Sequence, residues 1–245
     1  MMARIIALRG SSRKYPENSL RAFQYALKHG ANSLEVDVRR ALDGIIYCFH
    51  DPKLNRLTGH PGYFRRSSSE RIGKLRLNAT EPILKLEDFL EEFSGKSEIV
   101  LDIKSAGIEN ELLKLVQRHP GKQQVIFSSF NSRDLVRVKE LSAKARVALI
   151  VSPIRNLKMR LEFGGFLLRR LRKIGCEAAH LSVRLARPKL VERITEAGFS
   201  IAVWTVDDVE QATELQEMGV DGIITNIPEK MTMAAKPPAT QADTE

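Results

Sequence analysis

The sequence predicts a (β/α)8 barrel over residues 1–230, with a β-hairpin extension after the second strand. Three observations carry this. A helix-period stretch, a glycine and a short β-branched run recur together, as LKHGANSLEVDV, LRKIGCEAAHLS, ITEAGFSIAVWTV and LQEMGVDGIITN. Eight strand-like runs are mostly apolar throughout, which is how strands covered on both faces of a parallel sheet read. A length of 245 residues suits one such barrel.

The elements follow in order. Strands are expected at Arg4–Ala7, Ser33–Val38, Ile99–Ile103, Gln124–Ser128, Arg146–Val151, Ala178–Leu181, Ser200–Trp204 and Gly222–Thr225. Gly30, Gly175, Gly198 and Gly219 stand where a left-handed helix C-cap belongs. Between them lie apolar stripes at helical spacing: Leu20, Phe23 and Leu27; Leu190, Ile194 and Ala197; Val209, Ala212 and Leu215. Asn18 and Asp207 are the expected N-caps, and Pro188 suits a first helical turn. A further run, Ile45–Phe49, follows the second strand too closely for a parallel crossover, so it should return antiparallel. With Asp43-Gly44 as a two-residue turn, Leu42 would oppose Ile45 and Asp37 would oppose His50. Residues Gly59–Leu77 read as a loop excursion and Leu86–Phe93 as a short helix closed by Gly95. Residues 231–245 lack apolar periodicity and are expected to be a disordered tail.

Composition narrows the classes. Hydrophobic residues at 43% and charged residues at 28% exclude overall disorder. No apolar run approaches the roughly 18 residues of a membrane span. The start, MMARIIALRG, lacks the features of a signal peptide, and two cysteines, Cys48 and Cys176, make no disulfide framework. The expected setting is therefore the cytoplasm. A net charge of +9 fits attraction to phosphates or other anionic surfaces.

In a barrel of this kind chemistry sits at the C-terminal ends of the strands. The polar residues there are few: Arg9 after the first strand, Glu35 and Asp37 on the second, His50 and Asp51 after the hairpin, and Asp102 and Lys104 on the next. Glu35 and Asp37 are two apart and share a face, as do Asp102 and Lys104. Carboxylates gathered at one mouth repel each other unless a cation sits among them. A hard divalent ion, Mg2+ or Ca2+, is the natural one. Arg9 and Lys104 would hold an anion, phosphate being the obvious candidate, and His50 would move a proton. Taken singly, each motif has a plain structural reading. Glu-x-Asp is often an ion-paired surface feature, His-Asp-Pro a turn, and Asp102 and Lys104 a simple pair.

The stretch IIALRGSSRKYPENSLRAFQYALKHGANSLEVDVRRALDGIIYCFHDPKLNRLTG resembles the opening of the glycerophosphodiester phosphodiesterase family, and LKLEDFL, LDIK, SSFN, VWTVDD and GVDGIITNIP continue it in order. The resemblance implies a (β/α)8 barrel that hydrolyses glycerophosphodiesters to an alcohol and glycerol 3-phosphate with one divalent cation. It implies metal ligation by Glu35, Asp37 and Asp102. Phosphate contacts would come from Arg9 and Lys104, catalysis from His50 with Arg9, and the pocket aromatic would be Trp204. Glu17, Asn18 and Asp51 would support the site from behind. Two departures stand out. Where the family opens on His-Arg-Gly this chain has Leu8-Arg9-Gly10, and Asp102-Ile103-Lys104 replaces Glu-x-Lys. Leucine transfers no proton, and losing one general acid or base costs about 10²–10⁴ in rate. His60, in the excursion, and His180, on the strand Ala178–Leu181, are the candidates to replace it, with ion-activated water as the third route. The alternative reading is a silent or impaired family member that binds phosphodiesters or anionic membranes, or one acting on another phosphodiester such as a lysophospholipid.

Residues Arg155–Lys173 hold seven basic side chains against one acid, Glu162, for a local charge of +6. Interleaved apolar residues leave two readings: peripheral contact with an anionic membrane, or an outer barrel helix packing its apolar face inward. The partners expected are a small phosphodiester substrate and no nucleic acid. The oligomeric state stays open.

Overall fold

A computed structural model describes residues 3–153 and 165–234. The chain runs β1 (Arg4–Leu8), α1 (Leu20–Lys28), β2 (Ser33–Arg40), β3 (Ile46–Cys48), α2 (Asn55–Thr58), α3 (Ser69–Gly73), β4 (Arg76–Leu77), β5 (Glu81–Pro82) and α4 (Leu86–Phe93). It continues through β6 (Glu98–Ile103), α5 (Glu109–Gln117), β7 (Val125–Ser129), α6 (Ser132–Leu141), β8 (Arg146–Val151), α7 (Gly165–Ile174), β9 (Ala178–Ser182), α8 (Pro188–Glu196), β10 (Ser200–Trp204), α9 (Val209–Glu217), β11 (Gly222–Thr225) and α10 (Pro228–Ala234). Eight parallel strands follow the order β1-β11-β10-β9-β8-β7-β6-β2, and β1 pairs with β2 to close the barrel. Every predicted barrel strand is present within one or two residues of its expected ends.

Strand parity divides the core. Leu34, Val36 and Val38 face the helices, in one large layer with Phe23, Phe89, Leu112, Leu135, Leu171 and Ile194. The opposite parity fills the barrel with Ile6, Val100, Ile126, Ala148, Ala178, Ala202 and Ile224. Glu35 and Asp37 share the inward parity of β2, so the barrel's own alternation carries them to its mouth. On α1 the buried face is Ala22, Phe23 and Ala26, whereas Leu20 in the first turn stays exposed.

Several local expectations change. The hairpin pairs Val38 with Cys48 and Arg40 with Ile46, so Phe49 and not His50 opposes Asp37. The turn holds three residues: the Ala41 amide donates to the Ile45 carbonyl at 2.8 Å, and Gly44 takes the left-handed conformation at φ +90°. A type I turn followed by a left-handed glycine is the three-residue alternative to the tight turn, and it moves the register by one. The N-caps also shift by one. Ser19 accepts from the Ala22 amide and Asp208 from the Gln211 amide. Asn18 and Asp207 are engaged elsewhere, with Asp37 and Asn226 respectively. The Gly59–Leu77 excursion is ordered: it contains α3, β4 and a 3-10 turn at Phe64–Arg66. It closes over its own core of Tyr47, Phe49, Leu54, Phe64, Ile72 and Leu77. The packed structure also passes residue 230. Met231 in α10 is buried and the Thr232 hydroxyl donates to the His29 carbonyl, so residues 231–234 are helix and not tail.

Of the basic segment, α7 buries Leu167, Leu171 and Ile174 against the barrel while Arg172 and Lys173 face out. This is the outer-helix reading for that half. Residues 154–164, with Arg155, Lys158 and Arg160, lie outside the described residues, as do 235–245. Among the described residues no helix is long and apolar enough to cross a membrane.

Candidate active site

The site is assembled at the mouth by β1, β2, β6 and the segment after β3. Leaving β1, Arg9 adopts φ +57° and Gly10 φ +79°. This sharp turn brings the chain against α1, where a Cβ on Gly10 would lie 2.6 Å from the Ala22 carbonyl carbon. Only glycine fits there. The Arg9 amide donates to the Glu35 carbonyl at 2.9 Å, and the Arg9 guanidinium turns back to Asp37, with Nε 2.8 Å from Oδ2. Asn18 completes the arrangement. Its side-chain amide donates to Asp37 Oδ2 at 2.9 Å while its own oxygen accepts from the Asp37 amide at 3.2 Å. Lys104, at the end of β6, reaches Asp102 at 2.5 Å and lies 3.2 Å from Asp37 Oδ1.

Glu35, Asp37 and Asp102 each offer an oxygen within 4.8 Å of the others, and all three are buried. Burial, then Asp37 and Asp102, hold the Glu35 carboxyl well above its usual range. Burial also pushes Asp102 up, to about 6, against the opposing pull of Lys104. On Asp37 burial is overcome by Lys104, then Arg9, and its carboxyl stays well below the ordinary value. Two cations thus serve three carboxylates, and the deficit falls on Glu35 and Asp102. Asp37 Oδ1 and Asp102 Oδ1 are buried without a hydrogen bond; Lys104 lies close to the former but is not aligned for one. Buried oxygens are nearly always satisfied. An all-carboxylate donor set with two orphaned oxygens fits a hard divalent cation.

His50 stands beside this cluster. Its Nδ1 lies 2.7 Å from Asp51 Oδ1, which leaves Nε2 for other work. Burial lowers the imidazole's pKa, with Arg9 and Lys104 adding to the effect, so the ring is neutral near pH 7. The slipped register does not remove His50 from the site, because it lies beyond the paired part of β3. Arg56, on α2, binds both Asp51 (Nε to Oδ2, 2.6 Å) and Glu17 (Nη2 to Oε1, 2.7 Å). Glu17 in turn pairs with Arg9 at 3.2 Å. A chain of charges therefore runs from Arg9 through Glu17, Arg56 and Asp51 to His50.

The cavity at this mouth holds about 150 Å3 and is lined by Glu35, Asp102, Lys104 and His50 on one side and by Phe130, Ile150, His180 and Trp204 on the other. The Trp204 indole donates to the His180 carbonyl at 2.9 Å and meets Phe130 edge-on.

The sequence profile of the glycerophosphoryl diester phosphodiesterase family matches residues 9–230. The chain belongs to this family. A glycerophosphodiester phosphodiesterase of Caldanaerobacter subterraneus subsp. tengcongensis is 31% identical, over 94% of this chain and 97% of that one. A phosphodiesterase of Oleispira antarctica, solved in complex with the product sn-glycerol-3-phosphate, superposes with a TM-score of 0.86 at 27% identity, over 96% of this chain and 97% of that one. A glycerophosphodiester phosphodiesterase of Thermotoga maritima has the same fold, with a TM-score of 0.82 at 24% identity over 95% of this chain and 98% of that one.

Within this glycerophosphodiester phosphodiesterase-family barrel the structure brings together Arg9, Glu17, Asn18, Glu35, Asp37, His50, Asp51, Asp102 and Lys104, and Trp204 closes the far wall. Leu8 lines the cavity beside Glu35, where it offers no proton. His60 is exposed and does not line it, whereas His180 does, with 3% of its surface exposed and its pKa pushed down to about 4 by burial. Sequence reasoning missed Arg39 and Arg56. Arg39 donates to the His50 carbonyl and to the Lys104 carbonyl, both at 2.9 Å, and so ties the hairpin to β6. Its parity with Glu35 and Asp37 was the available signal.

Proposed function

We propose that the protein is a metal-dependent phosphodiesterase that hydrolyses glycerophosphodiesters to an alcohol and sn-glycerol 3-phosphate. The observation that carries this is the convergence of three buried carboxylates, two cations and one histidine on a single cavity. Glu35, Asp37 and Asp102 would hold the cation, Mg2+ or Ca2+ suiting the oxygen donors, and when bound it would supply Lewis-acid polarisation of a phosphoryl oxygen. Arg9 and Lys104 place positive charge against the remaining phosphate oxygens, where negative charge grows as water attacks phosphorus. His50 donates Nδ1–H to Asp51, which leaves its Nε2 lone pair to accept the proton of the attacking water. The bond from phosphorus to the alcohol oxygen breaks, and the alcohol takes its proton from solvent, since Leu8 has none to give.

A second reading, a family member that binds phosphodiesters with little or no turnover, is favoured by Leu8 alone. A metal-dependent assay on glycerophosphodiesters with the wild type and Leu8→His separates the two. We expect measurable wild-type turnover. A wild type silent with every divalent cation but revived by Leu8→His would establish the second reading instead. The setting we propose is cytoplasmic, consistent with two buried, unpaired cysteines. Peripheral contact with anionic lipid through 155–173 is supported by charge alone, and salt-insensitive or absent liposome sedimentation would reject it.

A further inference from the structure

A second concavity lies next to the catalytic cavity. It holds about 610 Å3 and is walled by the end of β2 and the hairpin turn (Arg39, Arg40, Leu42, Gly44), by Arg65 of the excursion and by Lys104 and Ser105 after β6. Lys104 lines both spaces, so the cleft opens onto the residue that faces the reacting phosphate.

Its walls carry four cations and no carboxylate. Lys104 is answered by Asp37 and Asp102. The other three are not answered in the same way. Arg39 gives two of its donors to backbone carbonyls, which orient the guanidinium, and the carboxylates that act on it, Asp37, Asp51 and Asp102, belong to the catalytic site and not to the cleft lining. Arg40 donates to the Gly107 carbonyl at 3.2 Å and has one acid nearby, Glu111, at 3.9 Å. Arg65 is exposed and makes no ion pair with any described residue. Gathering like charges around one hollow is unfavourable unless an anion completes it, and guanidinium groups suit phosphate and carboxylate geometry.

The direction of a bound substrate follows from the shape of the two spaces. The smaller cavity, with Leu8, Phe130, Ile150 and Trp204, is sized for the glycerol phosphate half. The alcohol that departs must point outward past Lys104, into the cleft. Resting on the phosphodiesterase reading above, we propose that this cleft is the alcohol-side subsite, and that it selects diesters whose alcohol carries a second anionic group. Leu42, 66% exposed on the cleft wall, gives the rim an apolar edge.

The test compares kcat/KM, with the divalent cation present, for glycerophosphoglycerol and for the same diester bearing a terminal phosphate. The charged substrate is expected to be preferred about tenfold or more. In the double variant Arg40→Gln, Arg65→Gln the ratio should fall toward one. The wild type supplies an independent measurement. Raising salt from about 0.05 M to about 1 M shortens the screening length from roughly 14 Å to 3 Å and should erase most of the preference. Equal values for the two substrates, or a preference that ignores both salt and the double substitution, would overturn the cleft and leave the phosphodiesterase reading intact. No turnover of either substrate under any divalent cation would overturn that reading, and the cleft with it.

Discussion

On one side of the barrel mouth, β1, β2 and β6 contribute Arg9, Glu35, Asp37, Asp102 and Lys104, crowded within a few ångströms, with the three carboxylates buried and the two cations partly so. On the other side, β8, β9 and β10 contribute Ile150, His180 and Trp204, with no formal charge near pH 7. The first side is held by ion pairs that would be costly alone. The second is held by packing and by one indole hydrogen bond. The difference separates two tasks. Under the proposed function, one half of the barrel would stabilise charge on a phosphate and the other would give the pocket its shape. Damage to the first should therefore appear in kcat, and damage to the second in KM.

The largest effect is expected from Lys104→Ala. It removes a buried cation from between two buried carboxylates, and kcat should fall about 10³-fold. The metal-free protein should also melt earlier, because two carboxylates lose their partner. His50→Ala comes next, with a loss of about 10²–10⁴ in kcat and little change in the melting temperature, since the ring is partly exposed. Wild-type kcat in either variant would break the assignment of this half.

Metal should act on the same half through stability. Without a cation, Glu35 and Asp102 titrate above their usual range. A raised carboxyl pKa favours the protonated folded form. These two groups therefore destabilise the metal-free protein where they are ionised, Asp102 in full above about pH 6, and their penalty vanishes as pH falls toward the unfolded value near 4. Asp37 has the opposite sign: its depressed pKa stabilises above about pH 4 and is lost in more acid solution. Added Mg2+ or Ca2+ should raise the melting temperature by several degrees near about pH 8, and by much less near about pH 5, where Asp102 is already protonated. Equal shifts at both pH values, read by differential scanning fluorimetry, would show that these carboxylates are not the ligands.

The uncharged half should give smaller changes. Trp204→Ala removes the aromatic wall beside Phe130 and is expected to raise KM about tenfold with kcat within a few-fold. His180→Gln should change kcat/KM only a few-fold. It should leave the pH profile unaltered between about pH 5 and 9, because the native ring is already neutral there. A profile that loses a limb in His180→Gln would make His180 the proton carrier that Leu8 is not.

Much of this division was legible in the sequence. The strands could be read because burial on both faces demands apolar residues throughout, and inward parity singled out Glu35, Asp37, Asp102 and Lys104. What could not be read depended on choices between adjacent residues. Asn18 and Ser19 both suit an N-cap, and Asn18 is withdrawn from that role only because Asp37 takes its side chain. Asp43-Gly44 fits a two-residue turn and also the end of a three-residue one, and the latter is found. Arg56 is a polar residue in a short helix, and its importance appears only when α2 folds against the mouth and sets it between Asp51 and Glu17. Arg39 likewise acquires a role through two carbonyls, which carry no sequence signal.

The barrel interior adds one consequence. Ala148, Ala178 and Ala202 occupy adjoining strands, whereas Ile6, Val100, Ile126 and Ile224 fill the rest of the same core. Each alanine lies two residues before Ile150, His180 or Trp204 on its own strand. Beneath that side of the pocket the barrel is therefore filled by three methyl groups, and larger side chains there would press on Ile150, His180 and Trp204, which line the cavity. Exchanging them for larger side chains offers an evolutionary route to shorter or differently shaped substrates while the reaction chemistry stays as it is.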